Sequence, residues 1–267
     1  MEVIQSIRKL KNNNYTLTTK NGRKIRVSED TLVRHRLLKG EEISEEVLDQ
    51  VEKEAELDIG YQQALFFLNY QLRSEKEIKD YLKKKEISEE GIVYVIDKLQ
   101  GLSLLDDLVF AESYVRTVIK TQDKGPQTIK QQLFKKGISD ENIQKALDLF
   151  SFDDQEEAAT KVAEKALRKY QNKSHKEQIN KVRQHLFTKG YSKDVISLVM
   201  ENLEVEKNED DEWESIVSEG DKLWRKNRRF DPSKRKQKIR QSLFTKGFDF
   251  DAINRFIEEK EMEDDNE

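Results

Sequence analysis

The sequence predicts a mainly α-helical protein: tandem three-helix repeats in an elongated curved array, preceded by a small N-terminal β-hairpin or sheet. Three observations carry this prediction. An eleven-residue pattern recurs four times in register. Of 267 residues, 38% are charged and 35% hydrophobic, with only two prolines and ten glycines. That balance is too polar for one large sphere but suits helices that each bury a single stripe. The first thirty residues differ, alternating apolar and polar side chains as strands do.

Val3 to Leu10 and Tyr15 to Thr19 alternate in this way, Asn21-Gly22 is a hairpin-turn signal, and Arg23 to Val27 reads as the return strand. Thr31 to Leu38 and Ser44 to Leu57 read as helices leading into the repeats, so residues 1–57 form an N-terminal domain.

The repeated segments are Leu82 to Ile92 (LKKKEISEEGI), Leu133 to Ile143 (LFKKGISDENI), Leu186 to Ile196 (LFTKGYSKDVI) and Leu243 to Ile253 (LFTKGFDFDAI). Four residues before each Leu stands Ile78, Ile129, Val182 or Ile239, and the whole recurs about every 50 to 57 residues. The i, i+4 apolar pair draws one stripe on a helix. Gly137, Gly190 and Gly247 stand where a helix needs a left-handed residue to end, each with a Lys before it facing the negative helix terminus. Ser139, Ser192 and Asp249 suit the N-cap of the following helix. The first copy has Glu86 in place of Gly, which predicts a looser or differently closed turn. A further helix-length segment precedes each pair: Ile59 to Leu72, Phe110 to Val118, Ala158 to Tyr170 and Trp213 to Trp224.

Three helices per unit follow, with boundaries at 58–103, 104–152, 153–207 and 208–260, then an acidic tail at 261–267. Ser74 with Glu77 and Ser174 with Glu177 read as capping boxes, and Pro126 and Pro232 sit where the first turn of a helix tolerates proline. In the third and fourth units the middle helix begins about one turn earlier relative to its Leu.

The net charge of -4 conceals strong segregation. Lys161 to Gly190 holds nine Lys or Arg against two Glu, and Lys222 to Lys246 holds eleven against one Asp. Between them the acidic run Glu204 to Glu214 reads as a linker. Two candidate basic faces for phosphates or acidic partners result: Lys165, Arg168, Lys169, Lys173, Lys176, Lys181 and Arg183, then Arg225, Arg228, Arg229, Lys234, Arg235, Lys236 and Arg240. Trp224, amid arginines, could stack on a base, but core packing is the more common use of such a residue. Phe134, Phe187 and Phe244 read as core because they recur beside the packing Leu.

Catalysis is not indicated. His35, His175 and His185 lack metalloprotease spacing, and no nucleophile elbow, P-loop or dinucleotide fingerprint appears. With no cysteine there is neither disulfide framework nor thiolate metal site. Asp106-Asp107 and Asp153-Asp154 open helices, where carboxylates cap free N–H groups. No metal and no cofactor are expected, and no stretch approaches the length of a membrane span, so the chain reads as a cytoplasmic monomer.

LLDDLVFAESYVR (Leu104 to Arg116) followed by GPQTIKQQLFKKGIS (Gly125 to Ser139) resembles the signature of the RecX family of RecA recombinase regulators. ALFFLNYQLRSEKEIKDYLKKK (Ala64 to Lys85) and AEKALRKYQNKS (Ala163 to Ser174) extend the resemblance, which is weaker in the fourth unit. An N-terminal sheet is usual in long, Gram-positive-type members. The resemblance implies binding to the RecA filament, mostly inhibiting its extension, ATP hydrolysis and strand exchange, with weaker, salt-dependent contacts to single- and double-stranded DNA. Two other readings compete with it. One is a helical-repeat DNA- or RNA-binding protein acting through basic faces independently of RecA; the other is a scaffold with neither partner.

Overall fold

The computed structural model of the chain describes residues 1–10, 14–203 and 208–265. Among them are thirteen helices and four strands. They gather into two compact units: residues 1–114 with 132–146, and residues 115–131 with 147–267. The division runs through the second repeat.

In the first unit, β1 (Glu2–Lys9), β2 (Asn14–Thr19) and β3 (Lys24–Ser28) form the expected antiparallel meander. Gly22, at φ 87°, closes the β2–β3 turn and donates its N–H to the Thr19 carbonyl. A fourth strand, β4 (Glu42–Ile43), pairs with β1 and gives the order β3-β2-β1-β4. Two residues are too few to show alternation, so no sequence signal announced it. The sheet buries Ile4, Leu17, Ile25 and Val27 together with Leu48, Val51 and Ala55 of α2 (Glu45–Leu68). Each of the Val, Leu and Ile side chains, taken fully out of water, contributes roughly 1.5–3 kcal/mol.

α1 (Glu29–Arg34), capped by Ser28, is shorter than the expected Thr31 to Leu38, because Arg36 turns left-handed at φ 50°. α2 corrects a second expectation. The helices foreseen at Ser44 to Leu57 and Ile59 to Leu72 are one helix of 24 residues, so the boundary between residues 57 and 58 falls inside it. No proline or cap interrupts the chain there. Gly60 instead lets a neighbour approach: a Cβ on it would lie 3.3 Å from the Val95 side chain.

The end of α2, α3 (Glu75–Lys83) and α4 (Glu89–Gly101) enclose Ala64, Ile78, Leu82, Ile92, Val95 and Leu99. The second repeat supplies α5 (Asp107–Thr121), α6 (Pro126–Lys135) and α7 (Asp140–Leu147). In the third, α8 (Phe152–Lys169), α9 (His175–Lys189) and α10 (Lys193–Asn202) bury Val162, Ala166, Val182, Leu186, Tyr191 and Val199. In the fourth, α11 (Glu209–Lys226), α12 (Pro232–Thr245) and α13 (Phe250–Asp265) bury Ile216, Trp224, Ile239, Leu243, Phe248 and Phe256.

The local signals act mostly as their chemistry predicts, although at α9 Ser174 accepts the Glu177 N–H without the return bond that would complete the expected capping box. Ser74 and Glu77 close a capping box, and Pro126 and Pro232 open α6 and α12. The early start of α9 and α12 is also present. Two acidic segments differ from expectation. Of the linker read at Glu204 to Glu214, residues 204–207 lie outside the described residues, while Glu209–Glu214 open α11, where four acids meet the positive helix end. Likewise α13 continues to Asp265, past the expected tail boundary at 260, because its acidic side chains find basic partners on α12. Among the described residues no helix is long and apolar enough to cross a membrane, and no group of three His, Cys, Asp or Glu side chains could hold a metal ion.

Candidate partner and nucleic-acid interface

One joint recurs along the chain and sets where the basic side chains can point. The start of a repeat's middle helix rests on the Lys-Gly turn of the following repeat. Ser74, the N-cap of α3, donates its hydroxyl to the Lys136 carbonyl at 2.7 Å, and Lys76 donates to Lys135 at 3.1 Å. At α6, the Thr128 hydroxyl and the Gly125 N–H both donate to the Lys189 carbonyl at 2.8 Å. At α9, the N-cap hydroxyl of Ser174 donates to the Lys246 carbonyl. Carboxylates brace two of these starts: Asp107 accepts the Glu75 N–H at 2.8 Å, and Glu212 accepts the His175 N–H at 2.7 Å. Orphan donors and acceptors of two helix ends are thereby satisfied together.

The lysines before Gly137 and Gly247 have a role beyond the helix end. Lys136 pairs with Glu77 at 2.6 Å and lies 5.4 Å from the centre of the Phe110 ring. Lys246 pairs with Glu219 at 2.7 Å. Lys222 and Lys246 hold the Glu219 carboxyl down at about 2. Asp107 behaves oppositely, its pKa raised because burial outweighs the Glu75 N–H it accepts. Asp106 caps α5, accepting from Leu108 and Val109. For α8 the cap is Ser151, and Asp153-Asp154 simply lie in the first turn.

Of the third-repeat candidates, Arg168, Lys169, Lys176 and Arg183 are exposed and Lys173 and Lys181 half-exposed. Lys165 is drawn to Asp123 at 3.1 Å, and Lys169 lies over the Tyr170 ring. Lys173 faces a polar cavity of about 410 Å³ shared with Asp211, Glu212 and Glu214. In the fourth repeat the set divides. Arg235 is committed to structure: it stacks 3.8 Å above Trp224, donates to the Trp224 carbonyl and pairs with Asp264 at 2.9 Å. Lys236 pairs with Glu261 at 2.7 Å, while Arg240 donates to Asn254. Arg225 turns back to the Asp221 carbonyl, and Arg228 is exposed. Arg229 and Lys234 share the ring of Phe230 with Lys238, at 5.1, 5.6 and 4.8 Å. Sequence reasoning missed Lys238. Its spacing of four from Lys234 along one helix face was the available signal.

The aromatic residues sort in two directions. Trp224 is core, 7% exposed, with its indole N–H directed at Asp264. Phe134, Phe187 and Phe244 are not core: they are 68, 64 and 66% exposed. The correction has a geometric reason. Neighbouring residues on a helix stand about 100° apart, so a stripe passing through Ile129 and Leu133 leaves Phe134 well to one side. Recurrence beside a core residue was mistaken for membership of the core.

Comparison with known proteins accounts for this architecture. The description "RecX, first three-helix domain" matches residues 61–99, "RecX, second three-helix domain" matches 106–147, and "RecX, third three-helix domain" matches both 153–200 and 209–257. The chain belongs to the RecX family. A regulatory protein RecX from Enterococcus faecalis is 49% identical over 265 residues, covering 99% of this chain and all of that one. The Bacillus subtilis RecX is 40% identical over 235 residues, covering 88 and 89%. A crystal structure of a regulatory protein RecX superposes with TM-score 0.62 at 35% identity, over 75% of this chain and all of that one; RecX from Lactobacillus salivarius gives 0.54 at 42%, over 57 and 98%. These relatives support a regulatory role. The double match of the third-domain description also shows that the fourth repeat is a second copy of the third type, consistent with their shared early helix start.

Proposed function

We propose that the protein regulates a RecA recombinase by binding its DNA filament as a cytoplasmic monomer, mostly inhibiting filament extension, ATP hydrolysis and strand exchange through steric and electrostatic occupancy. The observation that supports it most directly is the set of cations that the fold leaves unneutralised in the third and fourth repeats. Arg168, Lys181, Arg183 and Arg228 make no ion pair among the described residues, and three cations gather 4.8 to 5.6 Å from the centre of the Phe230 ring. Like charges so gathered repel one another unless a polyanion joins them. The family's regulatory role points to a recombination partner, and the basic faces supply weaker, salt-dependent contacts to single- and double-stranded DNA.

The test is RecA-catalysed ATP hydrolysis on single-stranded DNA, with this protein titrated well below one per recombinase monomer. Inhibition at such ratios is expected. Inhibition only when the DNA is saturated would replace this reading with a DNA- or RNA-binding protein acting independently of RecA, which the Phe230 cluster also favours.

A further inference from the structure

The three exposed phenylalanines share more than their exposure. Four residues before each stands a cation and three before each a glutamine: Lys130 and Gln131, Arg183 and Gln184, Arg240 and Gln241. The first repeat has Lys79, Asp80 and Lys83 at these positions and lacks both the amide and the ring. Exposing a large apolar ring costs stability at each site. The packing of the repeat, carried by Ile129 and Leu133, Val182 and Leu186, or Ile239 and Leu243, does not require it.

In the third repeat the structure shows what this trio builds. Arg183, Gln184 and Phe187 line one side of a shallow depression of about 630 Å³, with Ile196 and Met200 of α10 on the other and Lys193 at its rim. Two cations thus face one carboxylate, Glu201. Phe187, Ile196 and Met200 supply an apolar floor, the amide can meet a polar edge, and Arg183 stands about one helical turn from the ring, where residues four apart are neighbours.

A peptide anchor would use the apolar floor but leave the cations and the amide unmatched. An unpaired nucleotide uses all three: its base has a π-face for the ring, polar atoms at its edge for glutamine, and a phosphate for the cation. We infer that the (Lys/Arg)-Gln-x-Leu-Phe segments of the second, third and fourth repeats are base-stacking subsites for single-stranded DNA, one per repeat, with Phe134, Phe187 and Phe244 as the stacking rings. This rests on the reading above and deepens it, separating a contact that senses bases from the basic faces that sense only phosphate.

The test uses the full chain, protein-free labelled oligo(dT), and an abasic deoxyribose-phosphate strand of the same length, read by fluorescence anisotropy at low salt. Combined F134L, F187L and F244L keeps apolar bulk but removes the ring. It is expected to weaken oligo(dT) binding on the order of tenfold or more while leaving the abasic strand unchanged. The combined Phe→Trp variant, expected to bind oligo(dT) at least as tightly as the unaltered chain, guards against misfolding as the cause. Unchanged oligo(dT) affinity in the Leu variant, equal loss on both strands, or no binding of oligo(dT) by the unaltered protein would overturn the proposal. So would a Leu variant that keeps oligo(dT) affinity while the Phe→Ala variant loses the recombinase filament, since that marks a protein-docking face. The assay contains no recombinase, so failure here leaves the ATP-hydrolysis titration to succeed or fail by itself.

Discussion

The turn after α3 and the turn after α9 do the same task with different residues. Both reverse the chain through a left-handed residue, yet the first uses Glu86 at φ 62° and the second Gly190 at φ 93°. A left-handed non-glycine residue costs roughly 1–2 kcal/mol, so Glu86 shows that the reversal alone does not compel glycine. What distinguishes the two is what lies against them. A Cβ on Gly190 would stand 2.4 Å from the Thr128 hydroxyl and 2.5 Å from the Thr128 backbone nitrogen. A Cβ on Gly137 would stand 2.6 Å from Lys76 Cβ, whereas on Gly247 the nearest atom is the Ser174 hydroxyl at 3.1 Å. Each of these glycines receives the helix start of the repeat before it. The first repeat has no predecessor, so its turn carries a side chain.

The largest effect is expected at Gly190. G190A forces backbone apart as well as straining φ, and is expected to destabilise by about 3 kcal/mol, measured by urea unfolding. A loss below about 1 kcal/mol would show that docking against the turn contributes little. At Gly247 the nearest atoms are the Ser174 hydroxyl at 3.1 Å and Lys176 Cβ at 3.2 Å, so a shift of a few tenths of an ångström admits a Cβ and G247A should cost little beyond the left-handed strain, about 1–2 kcal/mol. Equal losses at the two sites would refute the steric account.

The fourth turn has a further anchor in the Lys246–Glu219 pair. E219Q should cost about 1 kcal/mol at pH 7. The Glu219 carboxyl is held near 2 by Lys222 and Lys246, below its ordinary value, so its contribution is present above pH 4.5 and is lost as pH falls through about 2. The gap between unaltered protein and E219Q should therefore be constant above pH 4.5 and close below it; a gap that widens on acidification would exclude the pair as its source. The smallest effect is expected at Glu86, where E86G relieves strain against a gain in unfolded-state freedom, for a net stabilisation of about 0.5 kcal/mol.

Much of this was legible in the residues because the relevant physics is local. The i, i+4 apolar pairs, the Ser74–Glu77 box, the prolines opening α6 and α12 and the extra turn of α9 and α12 all depend on residues within a few positions of one another. The basic faces were legible as clusters of charge, but not their division. Arg235 and Lys236 are tied down by Asp264 and Glu261, which arrive from a different helix, and no spacing within Lys222 to Lys246 announces that. The exposure of Phe134, Phe187 and Phe244 follows from helical angle, about 100° from the packing Leu, which recurrence along the chain does not reveal.

By itself the sequence determined the repeat, its phase, the helix ends, the N-terminal hairpin and the family, since periodicity and capping are properties of neighbouring residues along the chain. Only the tertiary structure decided that α2 is one helix, that a two-residue strand completes the sheet, that Phe187 is exposed and Trp224 buried, and why three turns carry glycine while the first does not. Those outcomes turn on which atoms far apart in sequence come within van der Waals reach, and no local pattern encodes that distance.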